Sequence, residues 1–249
     1  MIQLKTAKEL ERMKKACRIS AQALEVAQSV LAPGVTTAYV DEQVRKFIVS
    51  QGARPTFLHY GGFPASACVS VNEELIHGIP SRHKIIQEGD IVSVDVGAFI
   101  DGYTGDNAAT FPVGTISKEA QRLLDVTKTS LERAVAQAVA GNRLGDIGWA
   151  VQSYVEENGY SVVREYVGHG VGRELHEDPE VPNFGRPGHG VRLVPGMTIA
   201  IEPMINAGGR EVEVLANDWT VVTVDRQLSA HFEYTVAITE NGPVILTKV

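Results

Sequence analysis

Cysteine is scarce in this chain: Cys17 and Cys68 are the two among 249 residues, far apart in sequence and in no CxxC pair. That excludes a disulfide framework and a thiolate zinc site, and it fits a reducing cytoplasm. Long hydrophobic runs are missing too. No segment reaches the ~20 apolar residues of a membrane span, and Lys5, Lys8, Glu9 and Glu11 stand where a signal peptide would have its apolar core. Neither a membrane partner nor secretion is expected. A basic excess is also lacking: 23 Lys and Arg against 30 Asp and Glu leave a net charge of -7. Nucleic acid is therefore not expected as a substrate, because its binders carry basic faces that displace counterions. Disorder-prone composition is absent as well. With 44% apolar residues and 21% charged, the chain reads as globular, long enough for one large domain or two small ones.

What the chain does contain is an apolar hairpin with two acids in it. In IVSVDVGAFIDGYTGDNAATF, Ile91 to Phe111, Asp101-Gly102 is the two-residue signal of a type I′ turn. With those residues in the turn, Ile100 faces Tyr103, Asp95 faces Ala108, and Asp106 lies one step diagonal from Asp95. Alternation with period two then points both carboxylates to one face, roughly 7–8 Å apart at the backbone. Burying two bare anions there is costly unless something positive sits between them, so the pattern suggests a metal. The competing reading leaves both acids on a solvated strand face.

Helices flank this hairpin. Thr6 with Glu9 reads as a capping box, and Leu10, Met13, Cys17, Leu24, Ala27 and Leu31 recur at helical spacing until Pro33-Gly34. A second helix carries Val40, Val44, Phe47 and Ile48 on one side and ends at Gly52. Arg54 to Asn72 reads as loop and strand. Ser117 opens a third helix through Leu123, Leu124, Leu131, Val135 and Val139 to Gly141, and a fourth shows Ile147, Val151, Tyr154 and Val155 before Gly159. Helix, helix, strands occurs twice.

An offset of 107 residues carries Gly34 onto Gly141, Gly52 onto Gly159, Gly89 onto Gly196 and Asp95 onto Glu202, aligning EGDIVSVD with PGMTIAIE. A long-period match that occurs once suggests two related halves, about 1–112 and 113–249, packed about a pseudo-two-fold axis within a single catalytic domain, 1–249. Asp106 falls on position 213. The acidic strand position expected to replace it is Glu233 in HFEYTVAI, which requires 20 extra residues in the second hairpin, supplied from the run Asn206 to Asp218. Asp178 to Gly196, rich in Pro and Gly, reads as a rim loop near the cleft, with His189 at the surface.

Facing halves would bring Asp95, Asp106, Glu202 and Glu233 together. Two dications bring the formal charge of four carboxylates to zero, whereas one leaves two charges over, which favours a dinuclear site. His169 in GHGVG is a fifth candidate ligand, flanked by Gly168 and Gly170, which would let the backbone approach a metal. Phosphate cradling is the weaker reading of that run, since GxGxxG needs Gly at position 173, where Arg stands.

These five residues, with NEELIHGIP, GHGVGRELHE, AIEPM and HFEYT around them, resemble the type I methionine aminopeptidases, and the resemblance covers essentially the whole chain. It implies the pita-bread fold, an α+β architecture of two pseudo-symmetric halves with a curved antiparallel sheet covered by helices. It implies that Asp95, with Asp106 and Glu233 as bridges, holds one divalent ion, and that Asp106, His169, Glu202 and Glu233 hold the other, each Co, Mn, Fe or Zn. His77 and His176 would contact substrate without binding metal, His176 stabilising the oxyanion and His77 hydrogen-bonding around the scissile amide. Tyr60, Phe63, Cys68 and Trp219 would wall a pocket for an unbranched thioether; for Phe63 alone, a core aromatic is an equal reading. The activity implied is removal of the N-terminal methionine from peptides and nascent chains, with a small second residue preferred. A hydroxide bridging the two metals would attack, with Glu202 as general base. A monomer is expected.

The chain departs from that family at two places. Tyr234 follows the last Glu where His is usual, E-Y-T for E-H-T, which would alter a contact that orients the cluster. Leu175 stands where some relatives carry an aromatic. Proline-releasing dipeptidases share the fold and the ligands but carry an additional N-terminal domain, for which the stretch before Pro33-Gly34 leaves no room. The family's N-terminal zinc-binding extension and the helical insert of its type II members are not seen. A non-catalytic binding module and a structural cation site are the remaining readings.

Overall fold

Each helix begins where a side chain satisfies its free N–H groups. In the computed structural model, which describes residues 1–248, α1 (Ala7–Val30) opens on Thr6. Its hydroxyl accepts from the Glu9 N–H at 3.3 Å while the Glu9 carboxylate accepts from the Thr6 N–H at 2.9 Å. The reciprocal pair contributes about 1 kcal/mol. Thr36 caps α2 (Thr37–Ser50), Ser117 caps α3 (Lys118–Gln137), and Asp146 accepts from the Arg143 N–H at the start of α4 (Leu144–Glu157).

The strands, in chain order, are β1 (Arg54–Pro55), β2 (Ala67–Val71), β3 (Glu74–Ile76), β4 (Ile91–Ile100), β5 (Tyr103–Pro112), β6 (Ser161–Val162), β7 (Gly168–Gly170), β8 (Glu177–Val181), β9 (Thr198–Ile201), β10 (Met204–Asn206), β11 (Val212–Val214), β12 (Val221–Thr223), β13 (Ser229–His231), β14 (Glu233–Thr239) and β15 (Gly242–Ile245). Nine of them form one antiparallel sheet in the order β1-β4-β5-β14-β9-β7-β8, with β2 also on β4 and β15 on β14. This is the α+β, pita-bread arrangement.

Helices cover one face of the sheet. Val92, Val94, Val96 and Ala98 of β4 pack with Val40, Val44 and Ile48 of α2 and with Ile19 and Ala23 of α1. Ile199 and Ile201 of β9 and Val236 and Ile238 of β14 pack with Leu123, Leu131, Ile147 and Val151 of α3 and α4. Burying each aliphatic side chain is worth about 1.5–3 kcal/mol, and a slip of one residue would turn the whole set out and the acids in. The other face of the same strands is thereby left to the acids.

The first hairpin has the register its turn dictates. Asp101 and Gly102 adopt φ of 53° and 86°, Asp95 faces Ala108, and Gly97 faces Asp106. The 107-residue offset relates the elements themselves: α2 and α4 begin at Thr37 and Leu144, and β4 and β9 at Ile91 and Thr198. Gly89 and Gly196 share φ of 91° and 93°.

The second hairpin corrects one expectation. Its register pairs Ile201 with Tyr234 and, beyond a break at Glu202-Pro203, Met204 with His231. Met204 corresponds to Gly97, whose partner is Asp106, so the counterpart of Asp106 is His231, and that of Ala108 is Glu233. Counterparts lie 107 residues apart on the first strand and 125 on the second, so the insertion is 18 residues, two fewer than Asp106 to Glu233 required. It contains the β11–β12 ribbon, whose second strand pairs with β3.

Candidate active site

Strand pairing brings the acids together. Asp95 faces Ala108 across β4 and β5, and Ala108 faces Glu233 across β5 and β14. Glu202 follows Ile201, whose partner is Tyr234, so it comes level with Glu233. Asp106 is two residues from Ala108, on the same face. His169 arrives from β7, which pairs with β9.

The donor set fits a divalent cation. Asp106, His169 and Glu233 each offer a ligand atom within 4.8 Å of the others. His169 Nδ1 lies 2.8 Å from the Gly170 carbonyl; donating there leaves the Nε2 lone pair facing the acids. That Nε2 stands 3.6 Å from Asp106 Oδ2 and 3.5 Å from Glu202 Oε1, too long for hydrogen bonds but suited to atoms sharing an ion. Asp95 Oδ1, Asp106 Oδ1 and Glu233 Oε1 are buried with no hydrogen-bond partner among the described residues. Buried carboxylate oxygens of that kind call for a cation. All donors are O or N, a set that accepts Mn, Fe, Co and Zn.

Burial dominates the electrostatics. It pushes Asp95 up to about 7 and Glu202 to about 8, and it raises Asp106 and Glu233 well above the usual carboxylate range, with neighbouring acids adding to both. It pushes His169 down to about 3 and His77 to about 4, and it lowers His176 and His231. The imidazoles are thus neutral near pH 7.

A cavity of about 340 Å³ opens beside the acids, and every expected site residue borders it: Tyr60, Phe63, Cys68, His77, Asp95, Asp106, His169, His176, Glu202, Trp219 and Glu233. Phe63 meets Trp219 edge-on, with ring centroids 5.1 Å apart. Trp219 comes from the inserted ribbon, where Thr220 Oγ1 donates to the His77 carbonyl at 3.3 Å. His77 itself is held at φ 57°. Tyr60 Oη lies 2.8 Å from His176 Nδ1, and the His176 and His169 rings lie 4.3 Å apart.

Several expectations need correction. Gly168 and Gly170 are small because of neighbouring backbone: a Cβ would lie 2.3 Å from the Ala200 carbonyl or 2.2 Å from that of Asp178. Tyr234 alternates with Glu233 and lines a groove on the helix side, beside Phe232 and Lys128, so its side chain is not among the residues bordering the acids. The run from Asp178 begins as strand β8 and then folds over α4, whose Gly145 and Gly148 lie against the carbonyls of Arg186 and Phe184. It does not border the cavity; Asn183 Nδ2 instead donates to the Glu202 carbonyl at 2.9 Å, supporting that strand end. His189 is exposed.

Sequence reasoning passed over Phe57, Tyr166 and His231, and placed Leu175 only as a departure. Phe57, Tyr166 and Leu175 also border the cavity; each comes from a loop and carries no periodic signal. His231 stands two residues before Glu233, and that spacing was the available clue.

The chain is similar to known proteins over its full length. Residues 11–240 match the model of metallopeptidase family M24. A methionine aminopeptidase of Clostridium acetobutylicum is 56% identical over 99% of both chains. The crystal structure of a methionine aminopeptidase from Thermotoga maritima superposes with a TM-score of 0.98 at 49% identity, covering 100% of each chain. The prolidase from Pyrococcus furiosus gives a TM-score of 0.80 at 28% identity, covering 99% of this chain and 65% of its own.

Proposed function

The chain belongs to metallopeptidase family M24 and, within it, to the methionine aminopeptidases, and from that premise we propose that it removes the N-terminal methionine of peptides and nascent chains whose second residue is small. It acts as one catalytic domain, 1–249, monomeric and cytoplasmic. The observation that carries this reading is the convergence of four carboxylates, three of them with a buried oxygen that has no hydrogen-bond partner among the described residues, and the His169 Nε2 beside an apolar, sulfur- and aromatic-lined cavity.

Asp95, Asp106 and Glu233 would hold one divalent ion, and Asp106, His169, Glu202 and Glu233 a second, each Mn, Fe, Co or Zn. Ions held there would supply Lewis acidity to the scissile carbonyl and to the attacking water near neutral pH. The protein's own groups do the rest. Glu202 takes the proton of the attacking water and passes it to the leaving amine. The Tyr60 hydroxyl lies 2.8 Å from His176 Nδ1; donating there, it would leave the His176 proton on Nε2, toward the substrate oxygen on which charge develops. His77, kept neutral by burial, hydrogen-bonds the scissile amide. Phe63, Cys68 and Trp219 enclose the methionine side chain, whose flexible thioether gains soft contacts with aromatic edges.

Mn(II) or Co(II) uptake, measured alongside release of methionine from Met-Ala-Ser, tests the reading. Release with two ions per chain is expected. Cleavage of Xaa-Pro peptides but not of Met-Ala-Ser would move the protein to the prolidase reading, and neither uptake nor release would leave a binding module.

A further inference from the structure

His231 is a buried histidine of the site to which the reaction above assigns no role. It is 1% exposed, its Nε2 has no hydrogen-bond partner among the described residues, and that atom stands 3.5 Å from Glu202 Oε2. The other oxygen of the same carboxylate, Oε1, stands 3.5 Å from His169 Nε2. Glu202 therefore lies between two imidazoles, one against each oxygen. His169 borders the cavity and His231 does not. The strand register adds an independent reason to expect a polar partner at that position: Met204 faces His231 as Gly97 faces Asp106, so His231 fills in the second half the place that an acid of the cluster fills in the first.

We propose that His231 is a positioning residue: its Nε2–H donates to Glu202 Oε2 and fixes the carboxylate so that Oε1 alone is left to share a cation with His169. A rotation of either side chain closes 3.5 Å to the 2.7–3.2 Å range typical of such a bond. With Oε2 tied, Glu202 cannot turn to chelate an ion through both oxygens, and Oε1 keeps its aim. Partners behind metal ligands hold them in this way and tune affinity. The inference rests on the reading of the cluster as a cation centre.

The test compares native full-length protein with His231→Gln, which keeps a donor, and His231→Leu, which has none. Co(II) titration calorimetry and the Co(II) absorption spectrum are read on each after removal of bound ions. The Gln variant is expected within about threefold of native affinity with an unchanged spectrum, and the Leu variant about 10–100-fold weaker for one ion with an altered spectrum. Native-like binding by the Leu variant overturns the proposal, and so does equal weakening of both variants, which would make His231 a direct ligand. Ring-nitrogen NMR of the native protein reads the bond with no substitution. A protonated His231 Nε2 with a slowly exchanging proton is expected, and an unprotonated Nε2 overturns it. If native protein takes up no Co(II), the cation-centre reading fails; native uptake with an unaffected Leu variant sinks the role of His231 alone.

Discussion

Replacing Asp95 by asparagine should stabilise the cation-free protein while weakening its hold on cations. Burial raises Asp95 from an ordinary 3.8 to about 7, so the folded state holds a proton that the unfolded state releases between those values. The sign follows. For a group raised in the folded state, stability is full below about pH 4 and is lost as pH climbs toward 7. At about 1.4 kcal/mol per pH unit, the interval corresponds to roughly 4 kcal/mol at pH 8. The Glu202 charge adds to the effect of burial on Asp95, so removing one charge from the cluster should relieve about 2–4 kcal/mol. For a chain of this length that is a rise in Tm of about 5–15 °C. Thermal melts of native protein and Asp95→Asn in chelator, from pH 4.5 to 8, read it. The gap should open with pH; with saturating Mn(II) at pH 8 the order should reverse. A variant that melts no higher than native at pH 8 in chelator, or a gap that persists unchanged at pH 4.5, would refute the claim that this acid is strained by burial.

Because Asp95 and Glu202 are raised to about 7 and 8, a cation must displace protons to bind at low pH, and the rise in Tm produced by Mn(II) should be larger at pH 8 than at pH 5.5. Equal rises would contradict it. Gly105→Ala should lower the urea midpoint by the equivalent of about 1–3 kcal/mol or more, because a Cβ there lies 2.4 Å from the backbone N and Cα of Cys17 in α1; an unchanged midpoint would mean that α1 can shift off β5 freely. Lys5 and Glu177 form an ion pair whose side chains are 3% and 4% exposed, so Lys5→Met should cost about 3–5 kcal/mol in calorimetry by leaving a buried charge with only the Arg173 and Glu174 N–H groups on its other oxygen. A loss under about 1 kcal/mol would show that water reaches Glu177.

Local chemistry accounts for what the amino-acid sequence determined by itself. Caps and 3.6-residue periodicity placed the four helices of the described residues, because both act within a few residues of one another. The Asp101-Gly102 turn set the register of the first hairpin, and period-two alternation then put Asp95 and Asp106 on one face without help from the rest of the chain. The 107-residue offset located Glu202 because the acidic strand is repeated there. Only the tertiary structure decided the second hairpin. Its strands are broken at Glu202-Pro203 and separated by the inserted ribbon, so no turn governs their register; pairing with β5, which sets Glu233 against Ala108, does so instead. From that one long-range pairing follow His231 in the place answering to Asp106, Tyr234 on the helix side, and Trp219 against Phe63. These are contacts between residues distant in sequence, and they exist only once the sheet has closed.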